Sequence, residues 1–112
     1  MAEEQTGGRG RINRTFLSPY AKGVWFSLIL RPDISPMEVA KMTLLAAVAV
    51  ARSIRRHGLA DCGIKWPNDI LVQGRKMVGI LTELNGSAEK VNYIIMASAS
   101  TRTSWPMICR KT

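Results

Sequence analysis

Two short stretches carry the residue types that could do chemistry: Gly8-Arg9-Gly10-Arg11 and Lys65-Trp66-Pro67-Asn68-Asp69. A guanidinium fork holds a carboxylate or phosphate bidentately and never loses its charge. Gly7, Gly8 and Gly10 let the backbone approach such an anion closely. In the second stretch Pro67 ends a strand and fixes the direction of the next two side chains. Asn68 both donates and accepts, as an adenine edge requires, and Asp69 could support a magnesium ion directly or through water. Lys76 lies just past a turn. If the two motifs converge near it, its ammonium could bridge a carboxylate and an α-phosphate and stabilise the charge that builds on phosphoryl oxygens. Together these are the means to handle a nucleotide and a carboxylate.

Each of these features also has a plainer reading. Gly-Arg-Gly-Arg occurs in flexible nucleic-acid tails, although here it stands directly before an apolar strand. Asn68-Asp69 can simply open a turn with Trp66 in the core, and a lysine beside a turn is ordinarily solvated. His57, at a helix end, reads as a capping group rather than a catalyst.

The elements that must position these residues follow from the apolar pattern. Residues 7–15 are basic and glycine-rich and read as a mobile loop. Residues 24–30 are nearly all apolar between Gly23 and Pro32, which predicts a buried strand. Ser35-Pro36-Met37-Glu38 has an N-cap serine, proline at the first helical position and glutamate at the capping-box position. A helix of about five or six turns follows, with Val39, Met42, Ala46, Ala49, Val50 and Ile54 on one face. Arg52, Arg55 and Arg56 suit its negative end, and Gly58 suits its left-handed close. Residues 63–66 form a short strand, and 70–72 pair with 77–84 across Gln73-Gly74-Arg75. Asn85-Gly86 makes another turn before a strand over 91–96. The expected class is α/β (α+β), a mixed β-sheet with one long helix.

At 112 residues there is room for one small domain with a thin core. The chain is 46% hydrophobic and 21% charged, a globular rather than disordered balance. The net charge of +8 invites a nucleic-acid reading. Against it, Arg102, Arg110 and Lys111 fall in an acid-free tail, Arg52, Arg55 and Arg56 close a helix, and no helix-turn-helix, zinc-finger or RNA-binding signature is present. A solvated basic face accounts for the charge, and no nucleic-acid partner is expected. No apolar run is long enough to span a bilayer, and residues 1–5 lack a signal-peptide layout, so no membrane partner and a cytoplasmic location are expected. Cys62 and Cys109 have no metal spacing and read as free thiols.

The sequence resembles the catalytic domain of biotin protein ligases, biotin–[acetyl-CoA-carboxylase] ligases. The resemblance rests on Glu4-Gln5-Thr6-Gly7-Gly8-Arg9-Gly10-Arg11, Ser27-Leu28-Ile29-Leu30-Arg31-Pro32, Thr43-Leu44-Leu45-Ala46-Ala47, Ile64-Lys65-Trp66-Pro67-Asn68-Asp69-Ile70 and Gly74-Arg75-Lys76-Met77-Val78-Gly79-Ile80-Leu81. The arginine loop followed at this distance by Lys-Trp-Pro-Asn-Asp favours biotin over the related lipoate ligases. The resemblance implies activation of biotin by ATP to biotinyl-5′-AMP, then transfer to a lysine of a biotin carboxyl carrier protein or domain. It further implies that Gln5, Arg9, Gly10, Arg11 and Lys76 bind biotin, with Lys76 and Arg11 catalytic. Asn68, Asp69, Trp66 and Lys65 would lie on the nucleotide side, with Mg2+ accompanying ATP. No metal site built by the protein is expected beyond support from Asp69, and a homodimer is compatible with the family.

Where this sequence departs from the family pattern, it does so at its ends. The family carries a strand with a Ser-Thr-Asn biotin contact upstream of the arginine loop, and some members have a helix-turn-helix domain and a small C-terminal domain. Residues 1–96 are therefore expected to be a catalytic domain incomplete at both ends. Where the family continues Gly-Ile-Gly-Ile-Asn, this chain has Ala97-Ser98-Ala99-Ser100-Thr101, a string compatible with the same DNA read one base apart. Residues 97–112, with the stray Trp105 and Cys109, are thus expected to be a frameshifted or non-native tail. A Met1 where the family usually has valine similarly suggests a GTG start. The rival reading is an inactive truncated remnant that at most binds ligand or an intact partner.

Overall fold

Ser35 caps the helix as its neighbours dictate. Its hydroxyl accepts from the Met37 amide at 3.4 Å, and the Glu38 carboxylate accepts from the Ser35 amide at 3.3 Å. The first turn, Pro36–Glu38, is a 3-10 helix, and α1 follows over Val39–Arg56. It closes at His57, whose Nδ1 sits 2.8 Å from the Ser53 carbonyl oxygen, and at Gly58 with φ of +96°. The Arg55 Nε donates to the Cys62 carbonyl at 3.0 Å, pinning the helix end to the next strand. The computed structural model describes residues 1–12, 14–16, 20–101 and 109–111. Arg102 and Trp105 of the expected tail lie outside the described residues.

The strands are β1 (Arg14–Phe16), β2 (Gly23–Leu30), β3 (Cys62–Lys65), β4 (Asp69–Val72), β5 (Arg75–Gly86), β6 (Val91–Thr101) and β7 (Cys109–Lys111). Five of them form one sheet in the order β2-β6-β5-β4-β3, while β1 and β7 pair separately. The α+β class stands, but every described pairing is antiparallel rather than mixed. The connections explain this. From β3 to β6 each link is short, which forces neighbours to run in opposite directions. The one long crossover, through α1, carries the chain from edge strand β2 to the opposite edge, β3.

The turn between β4 and β5 narrows to Gln73-Gly74, both with positive φ, which suits a tight hairpin. Asn85-Gly86, expected as a turn, instead lies within β5 at a register shift against β6. The reversal falls one step later, where the Ser87 amide donates to the Lys90 carbonyl at 2.9 Å and the Ser87 hydroxyl accepts from the Glu89 and Lys90 amides. β6 runs past Met96 to Thr101; its residues 97–100 pair with both β2 and β5, and Thr101 pairs with Gly23 of β2.

The core lies between α1 and one sheet face. Ala47 and Ala51 are buried against Ile70, Val72, Val78, Ile80 and Met96, with Met42, Ala46, Val50 and Ile54 packed around them. Ala49, expected on this face, is exposed, and Ala47 and Ala51 take the closest approach because a methyl lets helix and sheet draw near. Thr43 and Thr82 join their hydroxyls at 2.8 Å across the same contact. β2 is not the buried strand its apolar run predicts. Trp25 is buried, but Val24, Leu28 and Ile29 are exposed, Ile29 by 61%. β2 is an edge strand, and α1 lies mainly over β5, β3 and β4. Cys62 is a free, buried thiol, and of Cys109 only the backbone is described. Among the described residues no helix is long and apolar enough to cross a membrane.

Candidate functional site

Alternation along the strands sends one set of side chains to α1 and the other to the opposite face. Register then decides which residues share that second face. Gly79 is paired with Ala99 and with Asp69, Leu81 with Ala97, and Ala97 in turn with Ser27. These residues line a cavity of about 370 Å³ on the sheet face away from the helix, a size that suits a small organic ligand. Its floor of Gly79, Ala97, Ala99 and Ser27 is made of small side chains, which leaves room for a ligand to lie against the sheet.

The arginine loop forms the other wall. The sequence reads residues 7–15 as a mobile loop, and here the chain turns back on itself. The Gly10 amide donates to the Arg14 carbonyl at 2.6 Å, the Arg14 amide to the Arg11 carbonyl at 3.2 Å, and Arg9 bridges to Thr15. Gln5, Arg9, Gly10 and Arg11 all line the cavity, as do Asn68, Asp69 and Lys76. The two motifs therefore converge. Arg11 Nη1 donates to Asn68 Oδ1 at 3.3 Å.

Asn68 is held from two sides. Its Nδ2 donates to the Ile80 carbonyl at 3.0 Å, and its own carbonyl accepts from the Ile80 amide at 3.0 Å. The side chain thus acts as an extra rung between the β3–β4 turn and β5, which leaves its Oδ1 aimed at the loop. Asp69 Oδ1 lies 3.0 Å from Lys76 Nζ, both largely withdrawn from solvent. Lys76 follows the short β4–β5 hairpin and so is brought back beside Asp69 by register: Lys76 stands opposite Leu71, past the shift between Ile70 and Leu71. It is not the solvated turn lysine of the plainer reading.

Lys65 and Trp66 do not line the cavity. Trp66 is 75% exposed, so it is neither core nor wall. Lys65 is paired in register with Asp69 at the sheet's edge. The motif thus divides: its last two residues reach the cavity and its first two do not, because Lys65 stands on the edge strand β3, one strand farther out than Asp69, and Trp66 lies in the exposed turn that follows.

Two charged residues that the motifs did not single out also line the cavity. Arg14 comes three residues after Arg11, and its place as a third guanidinium in the loop was the available signal. Glu83 continues the alternate series Gly79, Leu81, Glu83 along β5, and its carboxylate sits 3.9 Å from Arg9 Nη1. The described lining carries Arg9, Arg11, Arg14 and Lys76 against only Asp69 and Glu83. Each carboxylate already faces one cation, and Arg11 meets a neutral amide. The cavity therefore has cationic charge to spare for an anionic ligand. Among the described residues no three His, Cys, Asp or Glu gather as a metal site. Asp69 alone, already beside Lys76, fits a magnesium ion only as one that arrives on a ligand's phosphates.

An α+β sheet with a cationic cavity opposite its helix, walled by a glycine-arginine loop and a lysine-carboxylate pair, is an arrangement suited to a small anionic ligand. The model of the biotin/lipoate A/B protein ligase family matches residues 1–100, and the chain belongs to that family. Its relatives point to the biotin branch. It is 49% identical over 96 residues to the bifunctional ligase/repressor BirA of Bacillus subtilis, covering 86% of this chain and 30% of that protein. It is 39% identical over 100 residues to the biotin–[acetyl-CoA-carboxylase] ligase of Paracoccus denitrificans, covering 84% and 40%. Among solved structures, the biotin protein ligase from Aquifex aeolicus in complex with biotin and ATP superposes with a TM-score of 0.73 at 27% identity, covering 98% of this chain and 46% of that one. The chain thus spans less than half the length of each of these proteins.

Proposed function

We propose that this chain is the biotin- and ATP-handling part of a biotin protein ligase. In the reaction, a biotin carboxylate oxygen attacks the α-phosphorus of ATP. The bond to pyrophosphate breaks and biotinyl-5′-AMP forms. An amine of a lysine on a biotin carboxyl carrier domain then attacks the acyl carbon, AMP leaves, and biotin is joined to the carrier through an amide.

The observation that carries this reading is the convergence of Arg11, Asn68, Asp69 and Lys76 on one cavity. Two anions must meet for the first step, and fixed cations remove their repulsion without reorganising at the moment of reaction. Lys76, paired with Asp69 at the cavity wall, would neutralise a carboxylate and an α-phosphate oxygen together. Arg9 and Arg11 would lie over the ligands, with Gln5 beside them. Asn68 and Asp69 would face the nucleotide, and Mg2+ would enter with the ATP phosphates. A loop that covers the mixed anhydride also keeps water from hydrolysing it. The relative solved with biotin and ATP supports the choice of ligands.

Biotin-dependent exchange of radiolabelled pyrophosphate into ATP tests the reading. Exchange by the purified chain, lost in Lys76→Ala, is the expected result; no exchange by the folded chain at saturating biotin and ATP would count against catalysis by it.

A further inference from the structure

Among the described residues, side chains of the arginine loop reach the sheet at Asn68 and at Glu83, and Glu83 belongs to neither motif. Arg11 reaches Asn68. Arg9 reaches Glu83, a residue on the cavity face of β5 that also lines a second hollow of about 550 Å³ under the same loop, together with Arg14 and Leu81. We infer that Glu83 is the positioning residue of the arginine loop: its carboxylate holds Arg9 over the cavity mouth, so that the loop is already seated when an anionic ligand arrives. The role assigned to the ligand rests on the function proposed above; the seating of the loop does not.

Three features support the assignment. First, each of the cavity's two carboxylates faces a different cation. Asp69 is 3.0 Å from Lys76, which leaves Glu83 as the acid available to the loop. Secondly, the loop is a closed unit, since Arg9 bridges to Thr15 and Gly10 bonds to Arg14, so a force on Arg9 is passed to Arg11 and Arg14 rather than lost in slack chain. Thirdly, a guanidinium has five donors in a fork. Arg9 can face Glu83 with one nitrogen and keep others for a ligand carboxylate or phosphate. At 3.9 Å between a largely exposed Arg9 and a half-exposed Glu83, the pair is electrostatic and modest in strength. That suits a loop that must also open to release product.

Limited trypsin digestion reads the seating without any ligand, because trypsin must draw the arginine loop away from the sheet to cut after Arg9 or Arg11. Glu83→Gln keeps the shape and removes the charge. Glu89→Gln, in the β5–β6 turn, removes one charge elsewhere as a control. The expected result is cleavage after Arg9 and Arg11 about threefold faster in Glu83→Gln, the size set by a weak surface ion pair, with Glu89→Gln like the parent and all three chains unfolding at the same temperature. Equal cleavage of Glu83→Gln and the parent would overturn the inference. Adding biotin and ATP separates the two proposals. Protection of the parent's loop, weaker in Glu83→Gln, supports both. No protection of the parent counts against the biotin reading while the ligand-free comparison still decides the role of Glu83. In the exchange assay Glu83→Gln should raise the KM for biotin with little change in kcat, and a fall in kcat at unchanged KM would point away from positioning.

Discussion

Arg11 and Asn68 are 57 residues apart in the chain, yet their side chains meet at 3.3 Å. This bond joins the glycine-arginine loop to the turn that ends in Asp69. It turns two short motifs into one wall of a cavity, and the predictions below follow from what stands on either side of that wall.

Lys76→Ala should abolish biotin-dependent pyrophosphate exchange, by at least about a hundredfold, the scale seen when a fixed charge or donor aimed at a transition state is removed. It should also cost about 1–3 kcal/mol of stability, because Asp69 is left without its cation at a largely buried position. Exchange kinetics and thermal unfolding of the same preparation check both.

Asn68→Ala removes a bond to the Ile80 carbonyl and the acceptor for Arg11 together. Loss of about 1–3 kcal/mol is expected, since the Ile80 carbonyl loses a partner in a partly buried place. Asn68→Asp tests the donor alone. It can still accept from Arg11 but cannot donate to Ile80, so it should lose stability in a urea titration while keeping the loop's tryptic protection.

The two faces of the sheet should respond separately. Ile70 is fully buried under α1, and Ile70→Ala should cost about 2–5 kcal/mol. Ala97 stands on the cavity floor, so Ala97→Leu should fill the space a ligand needs. Its biotin Kd, measured by calorimetry, should rise by about tenfold or more, the effect of roughly 1.4 kcal/mol of lost contact, with little change in unfolding temperature. Destabilisation by Ala97→Leu as large as that of Ile70→Ala would show that the floor is core and not cavity.

Gly23→Ala should be poorly tolerated although the residue is far from any motif. A methyl there would run into the Trp25 ring and the Ser100 carbonyl oxygen, and that carbonyl belongs to backbone that cannot give way cheaply. About 1–3 kcal/mol of overpacking is expected, measured by chemical denaturation.

The sequence alone determined the local features. The cap at Ser35, the helix through Arg56, the hairpin at Gln73-Gly74 and the resemblance carried by the two motifs depend on residues within a few positions of one another, where capping, turn chemistry and periodicity act. The errors fell where distant partners decide. The apolar run of β2 gave no sign that it would lie at an edge, where Leu30 packs against the core but Val24, Leu28 and Ile29 stay exposed, and Asn85-Gly86 stayed in a strand because β6 was there to pair with it. Lys65 and Trp66 share a motif with Asn68 and Asp69, but Lys65 falls on the outermost strand and Trp66 in an exposed turn, while Asn68 and Asp69 reach the cavity. Glu83 carried no local mark at all. Its place beside Arg9 arises because strand alternation puts it on the face of Gly79 and Leu81, and because the chain's first residues fold back over that face. Only the tertiary structure could decide this, since the fields of charged groups act across space between segments that no pattern along the chain connects.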